Sequence, residues 1–164
     1  MTIKHMVKLA LVSAVYIVFT VIVAPISYGV IQFRFTEVLV LLCFFRKDYG
    51  IAMIIGCFIA NLFSPILIYD LTFGTFHTVL SVLLVSSSKK LWLATLYPVL
   101  LMPIIGLELS LALDLPFVLT TLTCMLGEAA VVILIGYPIM SLLRKNNGFL
   151  QLIEANQNRR NREV

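Results

Sequence analysis

Six long apolar runs, with short basic turns between the second and third and between the fourth and fifth, constrain this chain more than any other feature. A hydrocarbon core of about 30 Å takes about 20 helical residues to cross, and in lipid each spanning segment must satisfy its own backbone polar groups. The runs lie at about residues 6–24, 33–45, 48–65, 71–87, 91–113 and 116–143. Lys4 and Lys8 precede the first, and Arg46 and Lys47 separate the second from the third. Lys89 and Lys90 separate the fourth from the fifth; Arg144, Lys145, Arg159, Arg160 and Arg162 follow the sixth. Six crossings with both termini in the cytoplasm place all of these inside, as the positive-inside bias demands. Arg34 alone among the basic residues falls outside, with Glu37, Asp70, Glu108, Asp114 and Glu128 in outer loops or outer halves of spans. The expectation is an all-α integral membrane bundle of six helices with an outward-facing polar pocket.

Composition excludes the alternatives. Hydrophobic residues make up 61% and charged residues 12%, against about 25% charged in a soluble domain. The net charge of +4 sits on one face, so it sets membrane orientation rather than nucleic-acid affinity. Residues 1–145 read as one membrane domain and 146–164 as a polar cytoplasmic tail, a short helix or disordered. The first run exceeds a signal-peptide core of about 7–15 residues and is expected to be retained. Cys43, Cys57 and Cys124 lie in apolar runs without metal-ligand spacing and read as packing residues. No Walker A sequence, His-Glu-x-x-His or Gly-x-Ser-x-Gly is present, so ATP hydrolysis and familiar hydrolase chemistry are not written here. No inverted repeat is visible, and a transporter of this kind would draw its energy from a partner.

The second run is short for a full crossing. The preceding segment, Pro25 to Phe35, must dip into the membrane or fold over the outer mouth, and non-helical backbone at that depth needs protein or a water-filled cavity around it. It is a candidate lid between the first two helices. Pro25, Pro65 and Pro116 mark outer ends, whereas Pro98, Pro103 and Pro138 fall inside spans and should kink them. Tyr28, Tyr49, Tyr69 and Trp92 lie near span ends, where amphipathic rings favour the interface.

An acid inside an apolar span costs about 2.5–3.5 kcal/mol on insertion scales and needs a partner or a role. Glu128, deep in the sixth span, is the strongest case, because no Lys or Arg lies at its depth. Glu108 sits near the outer end of the fifth. Asp70 opens the fourth and reads equally as an N-cap or a ligand contact; His77, two turns on, reads as a contact or as a bond to a neighbouring backbone. Asn61 is either interhelical glue or part of a site. Arg34 and Glu37 share a face three residues apart, as an exposed ion pair or as pocket residues. One shared cavity satisfies these groups more economically than separate burials. Ala10 and Ala14 form a small-xxx-small pair on the first span, which admits a close helix partner.

Specific stretches resemble a known family. Ile31-Gln32-Phe33-Arg34-Phe35-Thr36-Glu37, Gly56-Cys57-Phe58-Ile59-Ala60-Asn61-Leu62 and Asp70-Leu71-Thr72-Phe73-Gly74-Thr75 are similar to blocks of the QueT family. So are Gly106-Leu107-Glu108-Leu109, Gly127-Glu128-Ala129-Ala130-Val131-Val132 and Gly136-Tyr137-Pro138, all in family order. The resemblance implies a non-enzymatic substrate-binding S-component of an energy-coupling factor (ECF) importer in a bacterial plasma membrane, assigned to queuosine precursors. It implies a transmembrane T-component and two cytoplasmic ATPase subunits as partners, with Ala10 and Ala14 as the docking pair. No cofactor or metal is implied. His77 matches no family motif.

A 7-deazaguanine fits the residues. Its ring N–H and exocyclic amine present two donors that one carboxylate accepts with both oxygens. A 7-aminomethyl group adds an ammonium for a second carboxylate or for an aromatic face such as Phe73. The expected ligand contacts are Arg34, Glu37, Asn61, Asp70, Phe73, His77, Glu108 and Glu128. The competing readings are an S-component for another vitamin-like heterocycle, a small intramembrane enzyme using Glu128, His77 and Asp70, and a passive channel or structural subunit.

Overall fold

The computed structural model describes residues 3–27 and 33–155. Tyr28, Ile31 and Gln32 in the expected lid, and Arg159, Arg160 and Arg162 in the tail, lie outside the described residues. Among the described residues all secondary structure is helical, in the order α1 (Ile3–Ile22), α2 (Phe35–Phe45), α3 (Tyr49–Asn61), α4 (Leu67–Ser87), α5 (Leu91–Leu113), α6 (Phe117–Leu143) and α7 (Asn147–Leu152). A single helical turn, Ala24–Ser27, follows α1. Helices α1, α4, α5 and α6 are long and apolar enough to cross a membrane; α2 and α3 are shorter apolar helices. The architecture is that of a membrane helical bundle.

The amphipathicity is inverted relative to a soluble bundle. Along α1 the inward residues are His5, Leu9, Ser13, Tyr16 and Thr20, while Met6, Val7, Leu11, Val18 and Phe19 are exposed. Lipid solvates the apolar outer face, and the interior is left to collect polar groups. Close approach of small residues holds the helices together. A Cβ on Gly56 of α3 would lie 3.2 Å from Tyr16 Cβ and 3.3 Å from the Ser13 carbonyl of α1. A Cβ on Gly106 of α5 would overlap the Thr121 hydroxyl and sit 3.0 Å from its Cα on α6.

Helix α2 is drawn out. Its first seven residues, Phe35–Leu41, form a 3₁₀-helix and only Leu42–Phe45 are α-helical. At about 2.0 Å per residue in the first part and 1.5 Å in the second, it reaches about 20 Å, still short of a full crossing of about 30 Å. Two boundaries differ from the sequence reading. Helix α3 ends at Asn61 rather than near residue 65, because Pro65 restricts Ser64 to extended backbone. Helix α4 starts at Leu67, four residues earlier than expected, so Asp70 lies inside the helix and caps nothing. Asp70 instead begins a π-helical stretch, Asp70–Gly74.

Pro98 sits inside an unbroken helical segment, whereas Pro103 opens a new one. Leu91–Leu100 and Pro103–Leu113 are two helical segments of α5 joined by a turn at Leu101 and Met102, since the Pro103 ring excludes the bond to the carbonyl four residues back. Asp114 ends α5 in the left-handed conformation, φ 53°, which a short polar side chain tolerates. In α6 the backbone widens to π-turns over Ala130–Gly136, immediately before Pro138. That stretch packs against the 3₁₀ part of α2.

Both described ends of the chain meet the α2–α3 turn. Lys8 Nζ lies 2.9 Å from Glu154 Oε1, Arg46 Nη1 3.1 Å from Glu154 Oε2, and Arg46 Nη2 2.9 Å from Asp48 Oδ2. His5 places Nε2 3.2 Å from Asp48 and Nδ1 3.3 Å from Glu154. The start of the expected tail forms the short helix α7, capped by the Asn146 side chain. It sinks Leu150 and Ile153 into the core, and Phe149 meets Phe45 edge-to-face at 6.2 Å.

Candidate ligand-binding site

The polar interior begins where four chain segments converge. Arg34, just before α2, donates from Nη2 to Asp70 Oδ1 at 2.7 Å and from Nε to the Ser27 carbonyl at 3.4 Å. Ser64 Oγ donates to the other Asp70 oxygen. Asn61 Nδ2 at the end of α3 donates to the Asp70 carbonyl at 2.7 Å and to Cys57 Sγ at 3.4 Å. Gly74 makes this convergence possible, since a Cβ there would lie 3.0 Å from Asn61 Nδ2 and 3.3 Å from Asp70 Oδ1. Arg34 and Asp70 are both buried. Desolvating two charges is repaid only when further hydrogen bonds complete the pair, which Ser64 and Ser27 do.

Farther along α2, Glu37 Oε1 accepts a hydrogen bond from Tyr16 at 2.7 Å, and the Thr20 and Thr36 hydroxyls meet at 2.8 Å. Sequence reading put Arg34 and Glu37 on one face; the structure turns Arg34 toward α4 and Glu37 toward α1. His77 Nε2 lies 3.1 Å from the Pro98 carbonyl; a carbonyl only accepts, so the ring donates from that nitrogen. Phe73 is half-buried in the π-helical stretch of α4.

Three carboxyl groups remain incompletely used. Glu108 on α5 is 0% exposed and Glu128 on α6 is 1% exposed. None of their four oxygens has a hydrogen-bond partner among the described residues, and Glu37 Oε2 has none either. Glu108 neighbours Asp70 and Arg34 without making a regular hydrogen bond. Glu128 lies in the fields of Glu37 and Arg34. Four buried carboxyls therefore share an interior in which Arg34 is the one buried Lys or Arg among the described residues, and its ion pair is with Asp70. Unpaired buried carboxylates are costly, and hydrogen-bond donors or positive charge relieve them.

Several of these partners escaped sequence reading. Tyr16 was not singled out, although Ser13, Tyr16 and Thr20 mark a polar stripe at helical spacing on an otherwise apolar helix. Ser64 fell within the third apolar run, 48–65, and was not singled out either. Ala10 and Ala14 of α1 are exposed and, with Ser13, line a groove of about 440 Å³ between α1 and α3, with Ile17, Ile51, Ile55 and Ile59 among its walls.

A membrane helical bundle that encloses buried carboxyls is an architecture suited to a transport protein. Residues 6–145 match the family model described as QueT transporter, and the chain belongs to that family. It is 36% identical over 156 residues to the queuosine precursor transporter QueT of Lactococcus lactis subsp. cremoris (strain MG1363), covering 85% of this chain and 91% of that relative. No solved structure matches the chain.

Proposed function

We propose that this chain is the substrate-binding S-component of an ECF-type, ATP-driven importer that takes up a queuosine precursor, 7-aminomethyl-7-deazaguanine or a close 7-deazaguanine such as queuine. The observation that carries the ligand reading is the set of buried carboxyl oxygens on Glu37, Glu108 and Glu128 without partners among the described residues. An anionic vitamin would add to that negative charge. A cationic heterocycle with adjacent N–H donors satisfies it, one carboxylate taking the guanine-like edge and others the amine. The family and the relative's printed name point to the same ligand class.

In this reading the chain crosses a bacterial plasma membrane six times with both termini in the cytoplasm. The meeting of Lys8, Arg46 and Glu154 at one end supports that topology, because basic residues mark the cytoplasmic side. The ligand enters from outside, and the segment between α1 and α2 closes over it, with Arg34 fastening the end of that segment to Asp70. A T-component helix docks in the groove along Ala10 and Ala14, where small residues permit close van der Waals packing, and two ATPase subunits supply the energy. The test is the purified full chain in detergent, titrated with 7-aminomethyl-7-deazaguanine. Ligand that binds the folded state stabilises it by RT ln(1 + [L]/Kd), so the expected result is a saturable rise in melting temperature. No response at millimolar ligand refutes the reading.

A further inference from the structure

The unpartnered carboxyls divide into two unequal places. Glu108 sits beside Asp70, and Asp70 is already neutralised by Arg34 at 2.7 Å. A ligand group arriving there meets a field that is partly compensated. The other two are Glu37 of α2 and Glu128 of α6, the latter lying two residues before the π-helical stretch. The elements carrying or adjoining them, the 3₁₀ part of α2 and the π-helical stretch of α6, are packed together. Both residues are 1% exposed, and three of their four oxygens lack a partner among the described residues. The fourth, Glu37 Oε1, is held by the Tyr16 hydroxyl.

Tyr16 is itself fully buried, at 0% exposure. Its ring is backed by α3, where Gly56 leaves room for close contact with Tyr16 Cβ. The Thr20–Thr36 hydrogen bond ties α1 to α2 one helical turn farther on. Glu37 therefore has Oε1 engaged by the phenol and Oε2 without a partner among the described residues.

We propose that Glu37 and Glu128 form a subsite for a primary ammonium group, with Tyr16 as the positioning residue that presents Glu37 Oε2 to it. The inference rests on the S-component reading above and deepens it, assigning the ligand's charged arm to the α2–α6 pair and its heterocycle edge to Glu108. An ammonium has three donors and no acceptor, matching three unpartnered carboxyl oxygens. A neutral substituent at the same position has no use for them.

The test compares two probes on the full chain in detergent: 7-aminomethyl-7-deazaguanine and its uncharged 7-nitrile counterpart. Loss of a charge-assisted contact corresponds to about ten- to a hundredfold in affinity, so wild type should prefer the amine by about that factor. Tyr16→Phe, which keeps the ring and its packing, should collapse the preference to within about threefold. Glu37→Gln and Glu128→Gln should do the same, and serve if Tyr16→Phe does not fold. The ratio of the two affinities is the readout, because a general loss of packing weakens both probes alike and leaves it intact. An unchanged ratio in Tyr16→Phe overturns the positioning role. An unchanged ratio in both glutamine variants, or equal binding of the probes by wild type, overturns the subsite. Binding of neither probe by wild type refutes the S-component reading beneath it.

Discussion

Replacing Asp70 by Asn should destabilise the folded protein severely, and the size of the effect follows from what surrounds the carboxylate. Arg34 approaches to 2.7 Å, and both side chains are buried. Asn keeps the volume and can still accept from Ser64, but it removes the charge that the guanidinium faces at 2.7 Å. Breaking such a pair from one side costs about 3–5 kcal/mol. For a chain of 164 residues, each kcal/mol moves the midpoint by about 2–4 °C, so the fall should be about 6–20 °C. The assay is thermal unfolding of the purified chain in detergent without ligand. The control that gives the argument its force is Arg34→Met combined with Asp70→Asn. Removing both charges abolishes the desolvation penalty, so the double variant should melt above Asp70→Asn by about 4 °C or more. A double variant that melts at the sum of the two single losses would show that the charges do not compensate one another, and the reasoning would fail.

Glu108→Gln and Glu128→Gln should each weaken binding of 7-aminomethyl-7-deazaguanine by about ten- to a hundredfold while leaving the fold intact, as read by calorimetric titration; wild-type affinity in both would move the site elsewhere. Ala10→Trp with Ala14→Trp should abolish co-purification with the T-component and uptake, yet spare ligand binding, because both residues are exposed on the outer face of α1. Normal uptake would remove the docking role, and a joint loss of folding and binding would show that the pair packs within the bundle. Acid should release α7. The hydrogen bond from Lys8 holds the Glu154 carboxyl below its usual range, and a depressed folded-state pKa contributes stability above the unfolded value of about 4.3 that is lost as pH falls through the folded value. Proteolysis at the α6–α7 junction should therefore quicken on acidification below about pH 4, and the step should vanish in Glu154→Gln; an identical step in that variant would assign it to another group.

The helices were legible because lipid imposes one solution on each apolar run, and α5 and α6 fall where expected. The polar contacts were less so. Asp70 looked like a cap because the Pro65-to-Tyr69 stretch reads as loop, and nothing local reveals that helix begins at Leu67 and widens from Asp70. The acids themselves stood out against their surroundings, but their pairing depends on which helices adjoin. Arg34 had Glu37 as its sequence neighbour and found Asp70, 36 residues away. Tyr16 was silent for a different reason: an aromatic in an apolar span fits the core whether or not its hydroxyl has a role. The π-turns before Pro138 were foreshadowed only as a kink.

On the proposed reading, helix α1 carries two instructions in one register. At about 100° per residue, Ala10 and Ala14 lie on an exposed side, Tyr16 and Thr20 turn into the bundle, and Ser13 sits between them, buried at the edge of the groove. The two sets interleave along the chain and meet at Ser13. A chain selected for a different cargo can therefore rewrite Tyr16 and Thr20 without disturbing the outer set. A chain moved to a different partner can do the reverse. For protein engineering this separates cargo from carrier on a single helix, and it marks Tyr16 and Thr20, rather than any position on the groove, as the places in α1 where a change of ligand should begin.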